Sequence, residues 1–340
     1  MATISDVIHF IARYFHVSPQ QMRQVRILAY GGPENLVIDK VPTPSPKPSE
    51  VLVRVLAAPI TAGDVRIRSG NVPRGIQFLS RLALGWSRPR NPPGWSFAGE
   101  IAAIGSGATG FALGQKVFGI AGIKGGAHAD YVAIRSDGPI FPLPDGMSIS
   151  EGAAFFFGGL TAMDFLINKA RLATGERLLV NGATGAVGSA ALQIAGHLGA
   201  KATAVCSEAN HPLARQLGAE ATHDYRNGSP KGQYDVVMDV IGTLGWAGAK
   251  PLLAPGGRLL MITAGLWPML GALLRPKRAG LRLIAGTSTE AKDQMARLVA
   301  LYHEGAYKPV VSQTLAFDDL AKAHAIAESF HKPGNLVVEM

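Results

Sequence analysis

A run of small residues at 181–188 has the clearest chemical meaning in the sequence. Asn181-Gly-Ala-Thr-Gly-Ala-Val-Gly188 follows the apolar segment Arg177–Val180 and opens an alanine-rich segment that reaches Leu198. Small residues let the backbone approach a phosphate closely, and the first turn of a helix offers free N–H groups to an anion. The order strand, loop, helix predicts a pyrophosphate site, with a structural turn in another α/β fold as the alternative.

The end of the next strand, Ala202–Cys206, bears on which dinucleotide would bind. An acidic residue there would bind the ribose diol of NAD, and its absence leaves room for a 2′-phosphate. Cys206 occupies that position, and Ser207 and Asn210 in the following turn can meet a phosphate. We therefore expect NADPH as the cofactor, although Glu208 in the same turn keeps NADH open.

The segments around this loop alternate between strands and helices. Helical stretches at Ala186–Leu198 and Pro212–Leu217 separate apolar runs with the length of strands. Alternation at this spacing predicts parallel βαβ units in a doubly wound sheet. The predicted strands are Arg177–Val180, Ala202–Cys206, Asp235–Val240, Arg258–Thr263 and Leu281–Ile284. We expect the last of these to leave an exposed sheet edge, which favours a homodimer.

The first part of the chain consists of short strands and turns. A hairpin around Gly31-Gly32-Pro33 and a single helix within Gly75–Gly85 are expected, and the pattern predicts a β-rich, barrel-like domain. The predicted strands are Val25–Leu28, Leu36–Lys40, Val51–Ala58, Phe97–Ile104 and Lys116–Ile120. Near the other end, helices at Glu290–Gly305 and Asp318–Phe330 and a strand at Leu336–Val338 are expected.

Composition excludes several classes of protein. The single cysteine, Cys206, rules out a disulfide framework and a zinc site built from several thiolates. The net charge of +9 favours anionic partners, but no block of like charge or nucleic-acid-binding signature is present, so a nucleic-acid partner is not expected. No transmembrane run or signal peptide is visible, so we expect a cytoplasmic protein. Residues 4–17 form an amphipathic pattern that favours a packed helix, with a weak surface anchor as the alternative.

Ten ordered motifs resemble the medium-chain dehydrogenase/reductase superfamily, in its zinc-free quinone oxidoreductase-like branch. The resemblance covers roughly Met22–Met340. Its motifs are Ala29–Pro33, Ile67–Gly70, Gly94–Glu100, Gly105–Gly119, Phe157–Ala162, Asn181–Gly188, Leu217–Ala219, Asp224-Tyr225, Asp239–Gly242 and Ala254–Gly257. The resemblance implies an α/β protein with a barrel-like (GroES-like) catalytic domain and an inserted Rossmann domain. We expect the extension at 1–21, the catalytic domain at 22–145 and 288–340, and the Rossmann domain at 146–287.

The resemblance also bears on zinc. Zinc-using relatives carry a Cys where this chain has Thr61 and a His-Glu pair where it has Trp95-Ser96, and the four-Cys structural lobe has no counterpart. Thr and Ser are poor zinc ligands and Trp is not a ligand. We therefore expect no metal site.

Without a Lewis acid, the expected chemistry is hydride transfer to a small, apolar acceptor that is already electrophilic, such as a quinone or an α,β-unsaturated carbonyl. The resemblance implies Thr61 as the catalytic hydrogen-bond donor facing the nicotinamide. Many relatives carry a Tyr where this chain has Arg66, so acid catalysis from that position is in doubt. Asp64 is expected to have a structural role.

The predicted cofactor contacts combine the loop with residues that the resemblance implies. Among the latter, Thr161 lies near the nicotinamide ribose and Tyr225 over a 2′-phosphate, and Asn335 stands where many relatives have a Lys. The complete set is Thr161, Gly182, Ala183, Thr184, Gly185, Ala186, Val187, Ser207, Asn210, Tyr225, Ile241, Thr263 and Asn335.

Two apolar stretches flanked by cations, at 75–86 and 266–274, have several interpretations. A dimer face or a lid over the pocket is the first, and weak peripheral contact with acidic lipid is the second.

The function also has alternatives. A low-turnover NADPH-binding sensor or nucleic-acid-associated protein fits the same loop, and a zinc alcohol dehydrogenase is the third hypothesis.

Overall fold

The computed structural model describes residues 20–72, 75–274, 277–278, 280–329 and 332–340. The expected amphipathic helix at 4–17 lies outside the described residues. Within them, no helix is long and apolar enough to cross a membrane.

The first part of the chain forms a β-rich unit, as expected. Strands β1 (Gln21–Ile27) and β2 (Leu36–Pro42) pair as an antiparallel hairpin. A second sheet has the order β15-β16-β3-β4-β5-β7, with β6 paired to β3. Its strands are β3 (Glu50–Ile60), β4 (Ser96–Ile104), β5 (Lys116–Ile120), β6 (Tyr131–Arg135), β7 (Ile140–Pro142), β15 (Val311–Ala316) and β16 (Asn335–Glu339). The two ends of the chain thus share one sheet, because β16 pairs with β3.

Two short helices interrupt this unit, and the sequence predicted only one. Helix α2 (Gln77–Leu84) is the expected helix, and α1 (Ala62–Ser69) is an additional one. Helix α1 begins at a capping box in which the Thr61 side chain accepts from the Asp64 N–H and the Asp64 side chain accepts from the Thr61 N–H. Its eight residues are too few and too polar to show an apolar period.

The second part of the chain is a doubly wound sheet, which confirms the predicted fold class. Its strand order is β10-β9-β8-β11-β12-β14-β13. The strands are β8 (Arg177–Asn181), β9 (Lys201–Cys206), β10 (Ala219–Asp224), β11 (Tyr234–Asp239), β12 (Leu253–Met261), β13 (Lys277–Arg278) and β14 (Leu281–Ala285). The direction in which successive strands are added to the sheet reverses between β8 and β11. Ligands of such sheets bind in the crevice at the carboxyl ends of these two strands.

The expectation of an open sheet edge at Leu281–Ile284 is wrong for part of that strand. Strand β13 runs antiparallel to β14 and pairs Arg278 with Leu281 and Lys277 with Arg282. A strand of two residues leaves no pattern in the sequence, and this pairing removes part of the sheet edge that favoured a homodimer.

The remaining helices lie along the two sheets. They are α3 (Ile149–Met163), α4 (Ala186–His197), α5 (His211–Gln216), α6 (Gly245–Ala249), α7 (Leu266–Leu274), α8 (Lys292–His303) and α9 (Leu320–Glu328). Helix α3 carries buried Phe155 and Phe156 into a core that also contains Phe118 of β5 and Val180 of β8. One apolar core therefore joins the two sheets and fixes the crevice between them. The domain boundaries at 145/146 and 287/288 stay predictions.

Candidate active site

The small-residue loop turns sharply between β8 and α4. Gly182 has φ +82°, and a Cβ there would lie 2.8 Å from Ile241 Cγ2. A Cβ on Gly188 would lie 2.2 Å from the Gly182 carbonyl oxygen. Glycine is required at both places, because at Gly188 the helix packs directly on the loop and at Gly182 a positive φ and a close neighbour coincide.

The same loop leaves open space and free donors at the start of α4. A Cβ on Gly185 would meet only the Gly182 oxygen, at 3.6 Å, so packing within the protein does not require a glycine there. Gly185 caps the helix without a side-chain hydrogen bond, and the N–H groups of Ala186 and Val187 donate to no described residue. This cradle fits a pyrophosphate.

A buried carboxylate holds the two strands that form the crevice. Asp239, at the end of β11, accepts from Asn181 Nδ2 at 2.8 Å and from the N–H groups of Gly242 at 2.9 Å and Gly245 at 3.0 Å. These bonds join the carboxyl ends of β8 and β11 and fold residues 240–245 back over the loop. Ile241 is consequently placed against Gly182 while remaining 47% exposed.

The segment before β16 adds a lysine to the loop. The Gly334 N–H donates to the Thr184 carbonyl oxygen at 2.7 Å, and Gly334 forms a parallel bridge with Gly185. Lys332 Nζ donates to the Gly334 oxygen at 2.9 Å and forms no ion pair with a described residue. Burial lowers the pKa of Lys332 to about 8. The sequence missed Lys332, because its proximity to the loop depends on this bridge.

The turn after β9 would contact the adenosine end of a dinucleotide. Asn210 Nδ2 donates to Ser207 Oγ at 3.1 Å, so two predicted contacts lie side by side. Asp224 accepts from the Glu208 N–H at 3.1 Å and from Arg226 Nη2 at 2.6 Å. The Arg226 guanidinium holds the pKa of Asp224 well below its usual range. Arg226, which follows β10, therefore lies at this turn, and it was not identified from the sequence.

Cys206 leaves this turn without an ionised group at the position where NAD-binding proteins carry an acid. Burial, together with the nearby charge of Asp224, raises the pKa of the Cys206 thiol to about 11. The thiol is therefore neutral near pH 7 and does not repel a 2′-phosphate.

The hydroxyl group of Thr61, the predicted catalytic donor, is already hydrogen-bonded. Thr61 Oγ1 donates to Asp64 Oδ2 at 2.5 Å and accepts from the Asp64 N–H at 3.2 Å. Asp64 also accepts from the Gly94 N–H at 3.2 Å. The structural role expected for Asp64 is confirmed. Thr61 would have to release Asp64 before donating to a substrate, and its catalytic role stays a prediction.

Arg66 extends from α1 across the crevice to the other sheet. Its Nη2 donates to Thr263 Oγ1 at 3.1 Å, and Thr263 Oγ1 donates to the Val240 oxygen at 3.0 Å. Arg66 is partly buried, makes no ion pair with a described residue, and its pKa is lowered by desolvation. Two positions that the sequence singled out separately, Arg66 and Thr263, thus meet at the carboxyl ends of the parallel strands.

Aromatic side chains form the floor beside Thr61. The rings of Trp95 and Phe157 meet edge to face with centroids 5.9 Å apart. Glu290 lies close to Trp95, and desolvation by the surrounding protein raises the pKa of its carboxyl group although the residue is exposed at its outer side. Ser96, next to Trp95, donates its buried hydroxyl to the Ala153 oxygen at 3.1 Å. The crevice is therefore apolar on this side and carries one carboxyl group.

Three other predicted cofactor contacts have distinct placements. Thr161 Oγ1 donates to the Phe157 oxygen at 2.8 Å within α3. Tyr225 is 49% exposed, directly before Arg226. The Asn335 side chain is buried and donates to the Val310 oxygen at 3.0 Å, so its amide already has a partner. Among the described residues, no group of three or more His, Cys, Asp or Glu is placed to hold a metal ion.

A doubly wound sheet with a phosphate cradle at its switch point, facing a β-rich unit across a crevice, defines a two-domain, dinucleotide-binding oxidoreductase. Residues 47–145 match the family described as "Alcohol dehydrogenase GroES-like domain", and residues 217–338 match the one described as "Zinc-binding dehydrogenase". The human protein "Quinone oxidoreductase" is 30% identical over 321 residues, which are 89% of this chain and 93% of that protein.

Solved structures agree with this class. "Structure of the quinone oxidoreductase from Coxiella burnetii" aligns with a TM-score of 0.82 at 24% identity, covering 94% of this chain and 99% of that one. "Crystal Structure of NAD-dependent alcohol dehydrogenase" aligns with a TM-score of 0.78 at 29% identity, covering 94% and 99%. The chain belongs to the medium-chain dehydrogenase/reductase superfamily and is quinone oxidoreductase-like. It is an oxidoreductase of a family that uses nicotinamide cofactors.

Proposed function

We propose that the protein is an NADPH-dependent, zinc-independent reductase of quinones or α,β-unsaturated carbonyls. The proposal rests on a crevice with donors on two sides: the N–H groups of Ala186 and Val187 at the start of α4, and the guanidinium of Arg66, which has no carboxylate partner among the described residues. One side fits the phosphates of a dinucleotide, and the other offers a positive charge to an acceptor. The relatives named quinone oxidoreductase support the choice of acceptor.

The residues of the crevice suggest how the acceptor is reduced. Bound NADPH supplies a hydride. When a hydride adds to the β-carbon of an enone, an electron pair moves to the carbonyl oxygen. Arg66 is placed to donate to that oxygen and to stabilise its negative charge, while Trp95 and Phe157 exclude water from the apolar side. Arg66 stays protonated, so the proton for the α-carbon comes from water or another group.

Zinc independence is supported by what three side chains already do. Thr61 is bonded to Asp64, Trp95 packs on Phe157, and Ser96 donates to Ala153. These are the positions where the resemblance implies ligands in zinc-using relatives, and none of the three side chains suits zinc.

The preference for NADPH is supported by the turn after β9. A neutral Cys206 replaces an acid, Ser207 and Asn210 lie together, and the exposed guanidinium of Arg226, ion-paired with Asp224, lies beside them. Comparing the dissociation constants of NADPH and NADH tests this preference, and equal values would refute it.

We also propose that the protein is a cytoplasmic homodimer. Sedimentation of the purified protein would measure its oligomeric mass.

The reductase proposal is tested by NADPH oxidation across a panel of quinones and enones, with the protein dialysed against a chelator. Turnover of at least one acceptor is expected. Tight NADPH binding without turnover would favour the sensor hypothesis, and activity on alcohols that requires zinc would favour an alcohol dehydrogenase.

A further inference from the structure

Two short helices leave their large apolar side chains in water. Eight such side chains are more than half exposed in the described part of the chain, and seven of them lie on or beside α2 and α7. We name this set the two-helix surface: Phe78, Leu79, Leu82, Trp86, Trp267, Leu273 and Leu274, with exposed fractions from 56% to 76%. The eighth, Leu113, lies in the turn between β4 and β5. Exposed apolar side chains grouped on two neighbouring helices mark an interaction site.

Helices α2 and α7 adjoin each other, although α2 belongs to the β-rich unit and α7 to the unit with the doubly wound sheet. A Cβ on Gly75, before α2, would lie 2.8 Å from the Cβ of Leu266, the first residue of α7. Leu266 follows the crevice residue Thr263 by three positions. The two-helix surface therefore lies beside the mouth of the crevice.

The structure holds α2 in this exposed position. The Arg81 guanidinium stacks 3.8 Å from the ring centre of Tyr30 and donates to the Trp86 oxygen at 2.9 Å. The rings of Phe78 and Trp86 meet edge to face at 6.1 Å. A groove of about 890 Å³ between α7 and β14 adds apolar surface next to the helices.

Charged residues are distributed unevenly along the chain. The stretches that contain α2 and α7 carry Lys and Arg but no Asp or Glu. The stretches 65–99 and 240–289 contain twelve of the 33 Lys and Arg residues and none of the 24 Asp and Glu residues. Some of these cations are used within the protein, as Arg68 is with Glu328. Arg88 and Arg90, directly after Trp86, are exposed and form no ion pair with a described residue.

We propose that the two-helix surface docks on a membrane containing acidic phospholipid. Apolar side chains enter the boundary between headgroups and acyl chains, tryptophan is favoured at that depth, and arginine is attracted to anionic lipid. A second copy is the weaker candidate, because a two-fold interface would place acid-free, cationic segments against each other. Docking does not depend on which acceptor is reduced, and it would open the crevice toward molecules dissolved in the bilayer.

The test uses the full chain and vesicles of phosphatidylcholine, with or without an equal amount of phosphatidylglycerol. Co-sedimentation with the acidic vesicles and a blue shift of tryptophan emission are expected, both weakening as salt is raised. Two of the four tryptophans, Trp86 and Trp267, lie on the two-helix surface and report insertion.

Matched variants separate the contributions of the apolar side chains and of the arginines to vesicle binding. Phe78→Ser with Leu273→Ser should reduce vesicle binding at least tenfold, whereas Leu113→Ser should not. Arg88→Gln with Arg90→Gln should remove the preference for acidic vesicles. Arg215→Gln with Lys231→Gln removes the same charge at the β10 end of the sheet, far from β14, and should leave the preference intact. Circular dichroism and NADPH binding check folding.

Three results would overturn the proposal. The first is the absence of acidic-vesicle binding by the unaltered protein, and the second is an equal loss of binding in the variants and their controls. The third is a fall in oligomeric mass in the Phe78→Ser, Leu273→Ser variant without any vesicle binding, which would identify the two-helix surface as a contact between copies.

Discussion

Arg66 is the side chain on which the proposed chemistry depends most. Its guanidinium reaches Thr263 across the crevice and has no carboxylate partner among the described residues. Removing one donor that stabilises a developing oxyanion commonly lowers kcat by about 10²- to 10³-fold. We expect Arg66→Gln to lower kcat by that order while the dissociation constant of NADPH changes little, as measured by steady-state kinetics and fluorescence titration.

Arg66→Lys provides the matched control, because it keeps the charge but loses the planar fork. It should retain more activity than Arg66→Gln. If both variants kept full kcat, Arg66 would have only a structural role, bridging α1 and the segment that follows β12.

Lys332 should make cofactor binding depend on pH. Burial lowers its pKa to about 8, so it is charged below pH 8 and loses its charge above it. An anionic phosphate at the adjacent loop favours the charged form. The affinity for NADPH should therefore fall as pH rises above about 8, measured by titration at several pH values.

Lys332→Met should remove this pH dependence and weaken binding below pH 8. Lys322→Met, which changes an exposed lysine of α9, should behave like the unaltered protein. An identical pH profile in Lys332→Met would show that the lysine does not face the phosphates.

Among the elements, helix α4 contains two glycines with different roles. Gly188 is required where the helix packs on the loop, and Gly196 is not required by packing. A Cβ on Gly188 would lie 2.2 Å from the Gly182 oxygen, whereas a Cβ on Gly196, in the same helix, meets nothing within 4 Å. Gly188→Ala should cost about 1–3 kcal/mol of unfolding free energy through overpacking and should disturb NADPH binding. Gly196→Ala should stabilise by up to about 1 kcal/mol, as chemical denaturation would measure. Equal stability of the two variants would contradict the packing of α4 on the loop.

The elements that could be predicted are those whose own residues form a recognisable pattern in the sequence. Strand β5 was predicted from a local apolar run, which its burial requires. The loop before α4 was predicted from its small residues, which let the backbone approach a phosphate. Helix α1 was missed because its stability depends on the Thr61–Asp64 capping box rather than on an apolar face. Strand β13 has two residues and only its partner defines it.

The site was less predictable than the fold. The pyrophosphate cradle is continuous in sequence, so its composition indicated it. The Arg66–Thr263 contact joins residues 197 positions apart, and Lys332 reaches the loop only through the Gly334 bridge. Neither has a local pattern, since both arise from how the two sheets are placed.

At the scale of the whole molecule, a buried histidine should make stability depend on pH. His324 is fully buried in α9, and neither ring nitrogen has a hydrogen-bond partner in the described structure. Desolvation, with His128 and Arg68 nearby, lowers its pKa from 6.5 to about 2. The unfolded chain therefore binds the proton first, and the unfolding free energy should fall as pH drops below about 6.5.

The slope from this group approaches about 1.4 kcal/mol per pH unit. Denaturation between pH 7 and pH 4 would measure it. His324→Phe should flatten the profile, and His303→Gln, at an exposed position of α8, should leave it unchanged. An unaltered slope in His324→Phe would show that other groups cause the acid sensitivity.

Zinc-free hydride transfer from NADPH to an electrophilic carbonyl compound is the proposed activity of this crevice. Its most direct test is NADPH consumption by the chelator-treated protein, with bound zinc quantified in the same sample, across quinones, enones and simple alcohols with NADP⁺. We expect turnover of a quinone or an enone at a zinc content far below one per chain. Turnover confined to alcohols and proportional to bound zinc, or tight NADPH binding with no turnover, would contradict it.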